Sequence, residues 1–235
     1  MTMTLTDFLT ILPPAFVAFA AVILLTVDLF IPQNRKGITA LLAAFILAAA
    51  LGINLAMMGR DLPPAFNGMA VLDGFAIYAN SIILVSGLGG VALAFNFLRR
   101  MNLERSEYYP LMLFSTAGML LLNQAYDLII VFLAIELLSI PLYVLTGLAR
   151  PQPESEESAL KYFLLGTFSS AFLLYGIAMI YGGTARTDLL GIVAAAASAP
   201  VNQTLFIIGA ALLLVGLAFK LSVVPLHMWT RDVYQ

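Results

Sequence analysis

Seven long apolar runs alternate with short polar connections, at about residues 14–31, 38–58, 71–98, 109–125, 127–149, 158–182 and 203–224. Each approaches the roughly 20 residues that a helix needs to cross a bilayer. The runs are continuous, unlike the short alternating segments of a membrane β-barrel. The pattern predicts an all-α integral membrane protein, a bundle of seven transmembrane helices. The first run lacks a basic leading region and a small-residue cleavage site, so it reads as a retained helix rather than a signal peptide.

Composition points the same way, with 62% hydrophobic and 10% charged residues where soluble domains carry about a quarter charged. The lipid bilayer is therefore an expected partner. The net charge is -2 and the basic residues sit in connections, so no nucleic-acid surface is expected. The absence of cysteine excludes thiolate-bound iron–sulfur clusters and disulfides, and the single histidine argues against a bis-histidine haem or a zinc site. No GxGxxG or GxxxxGK[ST] phosphate-binding motif occurs. Gly87, Gly89 and Gly90 lie inside an apolar run and are expected to allow close helix packing.

Orientation is read from Lys and Arg in the connections. Alternate connections hold Arg35, Lys36, Arg99, Arg100, Arg105 and Arg150, whereas the opposite set holds Arg60 and Arg186. This bias puts the N-terminus outside. The closing stretch, LAFKLSVVPLHMWTRDVYQ, has no polar tail, and the chain is expected to continue past Gln235.

A few charges interrupt this apolar pattern. Glu136 lies nine residues into its run, about 14 Å along at about 1.5 Å per residue and so near the membrane centre. A charge there costs about 2.5–3.5 kcal/mol on insertion scales. Glu136, Ser139, Tyr143 and Thr146 form one polar line on a helix face, and Pro141 loosens the following turn by denying a donor to the Leu137 carbonyl. That combination suits proton exchange with internal water. A structural glutamate, neutral or paired, is the alternative. Lys220 precedes Pro225, which frees the Leu221 carbonyl and pushes Val224 out of helical geometry. The seventh helix is therefore expected to be discontinuous just after Lys220, with the cation at the negative end of a half-helix. A lysine snorkelling to the surface is the bland reading. Lys161 follows Glu157 by four residues and reads as an ion-paired, snorkelling side chain. His227 is equally compatible with proton relay and with an interfacial position beside Trp229. Asp28, Asp73, Asp127, Asp188 and Asp232 sit near helix ends and are expected to be solvated, and Asn54, Asn80 and Asn123 to hydrogen-bond between helices.

Three blocks in order, IELLSIPLYVLTGL, ESALKYFLLGTFSSAFLLYGIAMIYG and AFKLSVVPLHMWTRDVY, closely resemble the antiporter-like subunit N of respiratory complex I, the proton-pumping NADH:quinone oxidoreductase. The resemblance implies three N-terminal transmembrane helices over residues 1–105. Residues 106–235 would then hold an incomplete first repeat of the antiporter-like inverted-repeat fold (helices four to seven). It implies a proton-translocating subunit of a bacterial inner membrane enzyme, coupling quinone reduction elsewhere in the complex to proton movement. Glu136 and Lys220 fall on the family's proton-gate pair, Lys161 on a further membrane lysine, and His227 on the histidine of its PxHxW segment. The resemblance implies no cofactor on this chain, with NADH, FMN, iron–sulfur clusters and quinone on other subunits. Subunits M and K are its implied partners. The chain departs from the pattern at Arg231, where the family has proline before DVY. Two alternatives stay open: a subunit of a multisubunit cation/proton antiporter, and a structural scaffold without transport.

Overall fold

The computed structural model describes residues 4–32, 36–60, 62–101, 103, 105, 107–149, 151–198 and 202–234. Arg35 and Arg150, used for the orientation above, lie outside the described residues. The chain runs α1 (Leu5–Asp28), α2 (Gly37–Ala56), α3 (Gly74–Arg100), α4 (Tyr108–Leu122), α5 (Leu128–Thr146), α6 (Pro153–Thr184), α7 (Leu189–Ser198), α8 (Gln203–Lys220) and α9 (Met228–Tyr234).

Local chemistry marks where these helices start. Thr4 and Asp7 form a reciprocal capping box at α1. Asp73, Asp127 and Asn202 cap α3, α5 and α8 through their side chains. Pro153 opens α6, followed by Glu154 and Glu156 in its first turn, where the helix dipole favours acidic groups.

Six described helices, α1, α2, α3, α5, α6 and α8, are long and apolar enough to cross a membrane. The run expected at 109–125 becomes α4, only 15 residues long, about 22 Å by helical rise. It is therefore a shorter apolar helix than the seven-span pattern predicts. In contrast, α6 extends over 32 residues, beyond the expected 158–182. The short α7 was not expected, and it forms where Asp188 accepts a bond from the Gly191 amide at 2.7 Å.

Helices α1 to α4 share one core, with Val17, Ala21, Leu47, Leu84, Leu113 and Ala117 at its centre. A second core joins α5, α6 and α8 through Ile135, Leu173, Ile177 and Leu213. Backbones approach closely at small residues, as expected in lipid where helix association rests on packing. A Cβ on Gly118 of α4 would lie 2.4 Å from the Leu138 nitrogen of α5, and one on Gly176 of α6 would lie 2.6 Å from the Leu213 nitrogen of α8. Gly87 and Gly90 face Leu47 and Met112, whereas Gly89 faces open space. At one end of the bundle three connections are laced together. The Val71 amide donates to the Gln124 carbonyl, that of Tyr126 to Met69, that of Leu128 to Thr187, and that of Leu189 to Tyr126.

The asparagines behave as expected: Asn54 donates to the Ile77 carbonyl at 2.8 Å and to Ser81, and Asn123 donates to Asn80 at 3.0 Å. Two aspartates do not. Asp28 is buried, pairs with Lys36 at 2.7 Å and accepts from the Thr39 hydroxyl. Asp127 is buried and accepts from Thr187 at 2.6 Å. Burial without such partners would be costly, so position near a helix end did not leave them solvated. Asp188, by contrast, is accessible, and hydrogen bonds from the Arg186 guanidinium hold its carboxyl below the usual carboxylate range.

Candidate proton-transfer site

The polar line on α5 points inward to α6 and α8. Ser139 and Tyr143 are buried and Glu136 is half-buried. Lys220, the last residue of α8, donates to Ser139 Oγ at 2.7 Å and to Tyr143 Oη at 3.0 Å. The Ser139 hydroxyl donates its own proton to the Ile135 carbonyl, leaving lone pairs toward the ammonium. The Tyr143 and Phe219 rings lie 5.4 and 5.8 Å from Nζ, within range of cation–π attraction. Thr146 turns its hydroxyl to the Leu142 carbonyl of its own helix, while its backbone carbonyl accepts from Ser155.

Glu136 takes a different partner. Its carboxylate accepts a short hydrogen bond from the Ser170 hydroxyl of α6. Among the described residues Glu136 and Lys220 form no ion pair with each other. Each charge is thus satisfied by hydroxyls rather than by the other.

The end of α8 explains how Lys220 is presented. The Val223 amide bonds to the Ala218 carbonyl at 2.9 Å and that of Ser222 to Phe219 at 3.0 Å, the paired bonds of a Schellman stop. Ser222 carries the required left-handed conformation, with φ of 54°. Glycine usually fills this position, so no glycine signal marked it in the sequence. The chain turns through residues 221–227 before α9 begins at Met228. Trp229 of α9 is buried, donates to the Phe219 carbonyl at 3.2 Å and stacks on Tyr162 with centroids 4.5 Å apart.

Lys161 lies outside this cluster. It is exposed and bridges Glu157 and Asp232, each at 2.8 Å. The pair with Glu157 was expected; that with Asp232 ties α6 to α9. His227 is exposed, and among the described residues its ring takes part in no hydrogen bond. Sequence reasoning missed Ser170 as the partner of Glu136 and Asp232 as a partner of Lys161. Two adjacent hydroxyls, Ser169 and Ser170, inside an apolar run were the available signal, because a buried hydroxyl needs a partner. Ser169 finds its own in the Gly216 carbonyl of α8 at 3.0 Å.

Residues 125–235 match the family model described as NADH:quinone oxidoreductase/Mrp antiporter, TM. The chain is 44% identical over 222 residues to NADH-quinone oxidoreductase subunit N of Chloroflexus aggregans, covering 93% of this chain and 45% of that one. It is 42% identical over 220 residues to subunit N 2 of Roseiflexus castenholzii, covering 92% and 44%. It thus spans a little under half the length of these curated relatives. Among solved structures it is similar to a chain of respiratory complex I from Thermus thermophilus with bound aureothin. That match has a TM-score of 0.76 and 35% identity, over 95% of this chain and 47% of that one. It is also similar to a chain of the Mrp complex from Dietzia, with a TM-score of 0.76 and 25% identity, over 99% and 44%. The blocks around Glu136, Lys161 and Lys220 all fall inside the matched residues 125–235, so the part of the chain that carries the candidate site is similar to the NADH:quinone oxidoreductase/Mrp antiporter family.

Proposed function

We propose that this chain is a proton-translocating membrane subunit of a bacterial NADH:quinone oxidoreductase, with Glu136 and Lys220 as a coupled gate. One observation carries the reading. Along one polar face of α5, a carboxylate of that helix and an ammonium from α8 each bond to buried hydroxyls, yet are not locked to each other. A burial cost of this kind is usually maintained for function in membrane proteins. Lys161 and His227 are secondary relay candidates. NADH, FMN, iron–sulfur clusters and quinone belong on other subunits, and subunits M and K are the proposed neighbours. On this reading α8 and α9 are two pieces of one discontinuous seventh span, which the turn after Lys220 supports, and α4 is the short fourth. Residues 1–105 then form the N-terminal helices and 106–235 part of an antiporter-like repeat. Moving a proton against 100 mV requires about 2.3 kcal/mol, so the gate is driven by its neighbours.

In the assembled enzyme reconstituted in vesicles, Glu136→Gln and Lys220→Ala are each expected to depress proton pumping strongly. Normal pumping by fully assembled variants would remove both residues from the path and leave a scaffold role. The likeness to the Mrp complex favours a second reading, a subunit of a cation/proton antiporter. Transport that requires sodium would support that reading instead.

The charge bias in the connections supports an outside N-terminus. The exposed Glu154 then lies inside. A Glu154→Cys chain, free of any other cysteine, should resist an impermeant thiol reagent in intact cells. Labelling from outside would reverse the orientation.

A further inference from the structure

The hydroxyls around Lys220 are arranged as a receptor for its ammonium group. The Ser139 proton is committed to the Ile135 carbonyl at 2.5 Å, so its oxygen faces Nζ as an acceptor. The Tyr143 oxygen supplies a second acceptor at 3.0 Å. Its position depends on α6: a Cβ at Gly166 would lie 2.2 Å from Tyr143 Oη and 2.6 Å from the adjoining ring carbon. Any larger residue at 166 would therefore displace the phenol. Tyr143 is further held by an edge-on contact with Tyr162 at 4.6 Å, itself stacked on Trp229. The phenol is carried by α5 and held by α6, whose Tyr162 is backed in turn by Trp229 of α9. Glu136, meanwhile, has its own donor in Ser170.

Resting on the gate reading above, we propose that Ser139 and Tyr143 are positioning residues that form a second berth for the Lys220 ammonium, separate from the Glu136 carboxylate. Glu136, Ser139 and Tyr143 occupy one face of α5, with about 4.5 Å of helical rise from Glu136 to Ser139 and about 10.5 Å to Tyr143. A lysine has a flexible four-carbon stem and three rotatable donors, so its ammonium can move along that face between two defined stations. Two oxygen acceptors and two aromatic rings keep the charge satisfied in the berth while it is apart from the carboxylate. Without the berth, the lowest-energy place for the ammonium is against Glu136, and the pair stays closed.

The test uses the assembled enzyme in vesicles and reads protons pumped per NADH oxidised, normalised to the amount of assembled subunit. Hydrogen bonds to charged groups are strong enough that losing one shifts berth occupancy by roughly tenfold. Tyr143→Phe and Ser139→Ala should therefore each lower the ratio several-fold, and Ser139→Thr, which keeps the hydroxyl, should restore much of it. Gly166→Ala should behave like Tyr143→Phe. Tyr143→Phe deletes one oxygen and preserves the ring, so it decides the question even if a bulkier change prevents assembly. If Tyr143→Phe and Ser139→Ala pump at the normal ratio while Glu136→Gln does not, the berth is wrong and the gate stands. If Glu136→Gln also pumps normally, the gate reading fails along with the berth. A Ser139→Ala loss that Ser139→Thr leaves unchanged would assign Ser139 to packing and overturn its part in the berth.

Discussion

Two charge systems in this bundle are built in opposite ways. Where α1 meets α2, Asp28 and Lys36 contact each other at 2.7 Å, and the Lys36 ammonium also donates to the Asp28 carbonyl at 3.2 Å. Thr39 adds a hydroxyl to the same carboxylate. Where α5 meets α6 and α8, Glu136 accepts from Ser170 while Lys220 donates to Ser139 and Tyr143. A direct pair surrounded by further bonds has one arrangement and fixes the helices that carry it. Opposite charges with separate hydroxyl partners have a choice of arrangement, and a gate requires one. On the proposed reading, the difference separates charge used for architecture from charge available for transport.

The sharpest way to break this contrast is at the fixed pair. Asp28→Ala leaves the Lys36 ammonium buried without its carboxylate and should cost about 3–5 kcal/mol. A thermal melt of the purified subunit or complex should show a marked fall in stability. An unchanged melt would contradict the architectural role. At the other extreme, Asp232→Asn removes one of two carboxylates from the accessible Lys161. Exposed pairs contribute little, so the same melt should be indistinguishable from that of the unaltered chain. A large loss would mean that the α6–α9 tie carries more of the fold than its exposure implies.

The long helices were legible because lipid leaves no alternative to continuous apolar runs with internal backbone bonds. Their ends were less so. Helix α4 is short, α7 begins where Asp188 accepts from the Gly191 amide and Leu189 bonds to distant Tyr126, and Ser222 stops α8 without the usual glycine. Glu136, Lys220 and the Ser139 to Tyr143 line stood out as polar residues in apolar surroundings. Their actual partners did not, since Ser170 lies 34 positions from Glu136, and Asp232 lies 71 from Lys161. No periodicity encodes such pairings. Asp28 was misread for the same reason, because a residue at a helix end looks solvated until the lysine eight positions on folds against it.

The central claim is that Glu136 and Lys220 act as one unit, and a double-mutant cycle on proton pumping in the assembled enzyme tests it most directly. Residues that work together show non-additive effects, whereas independent sites add. With assembly measured alongside, Glu136→Gln and Lys220→Ala should each depress pumping strongly, and the double variant should be little worse than either. Clearly additive losses, or normal pumping by either assembled single variant, would contradict the account.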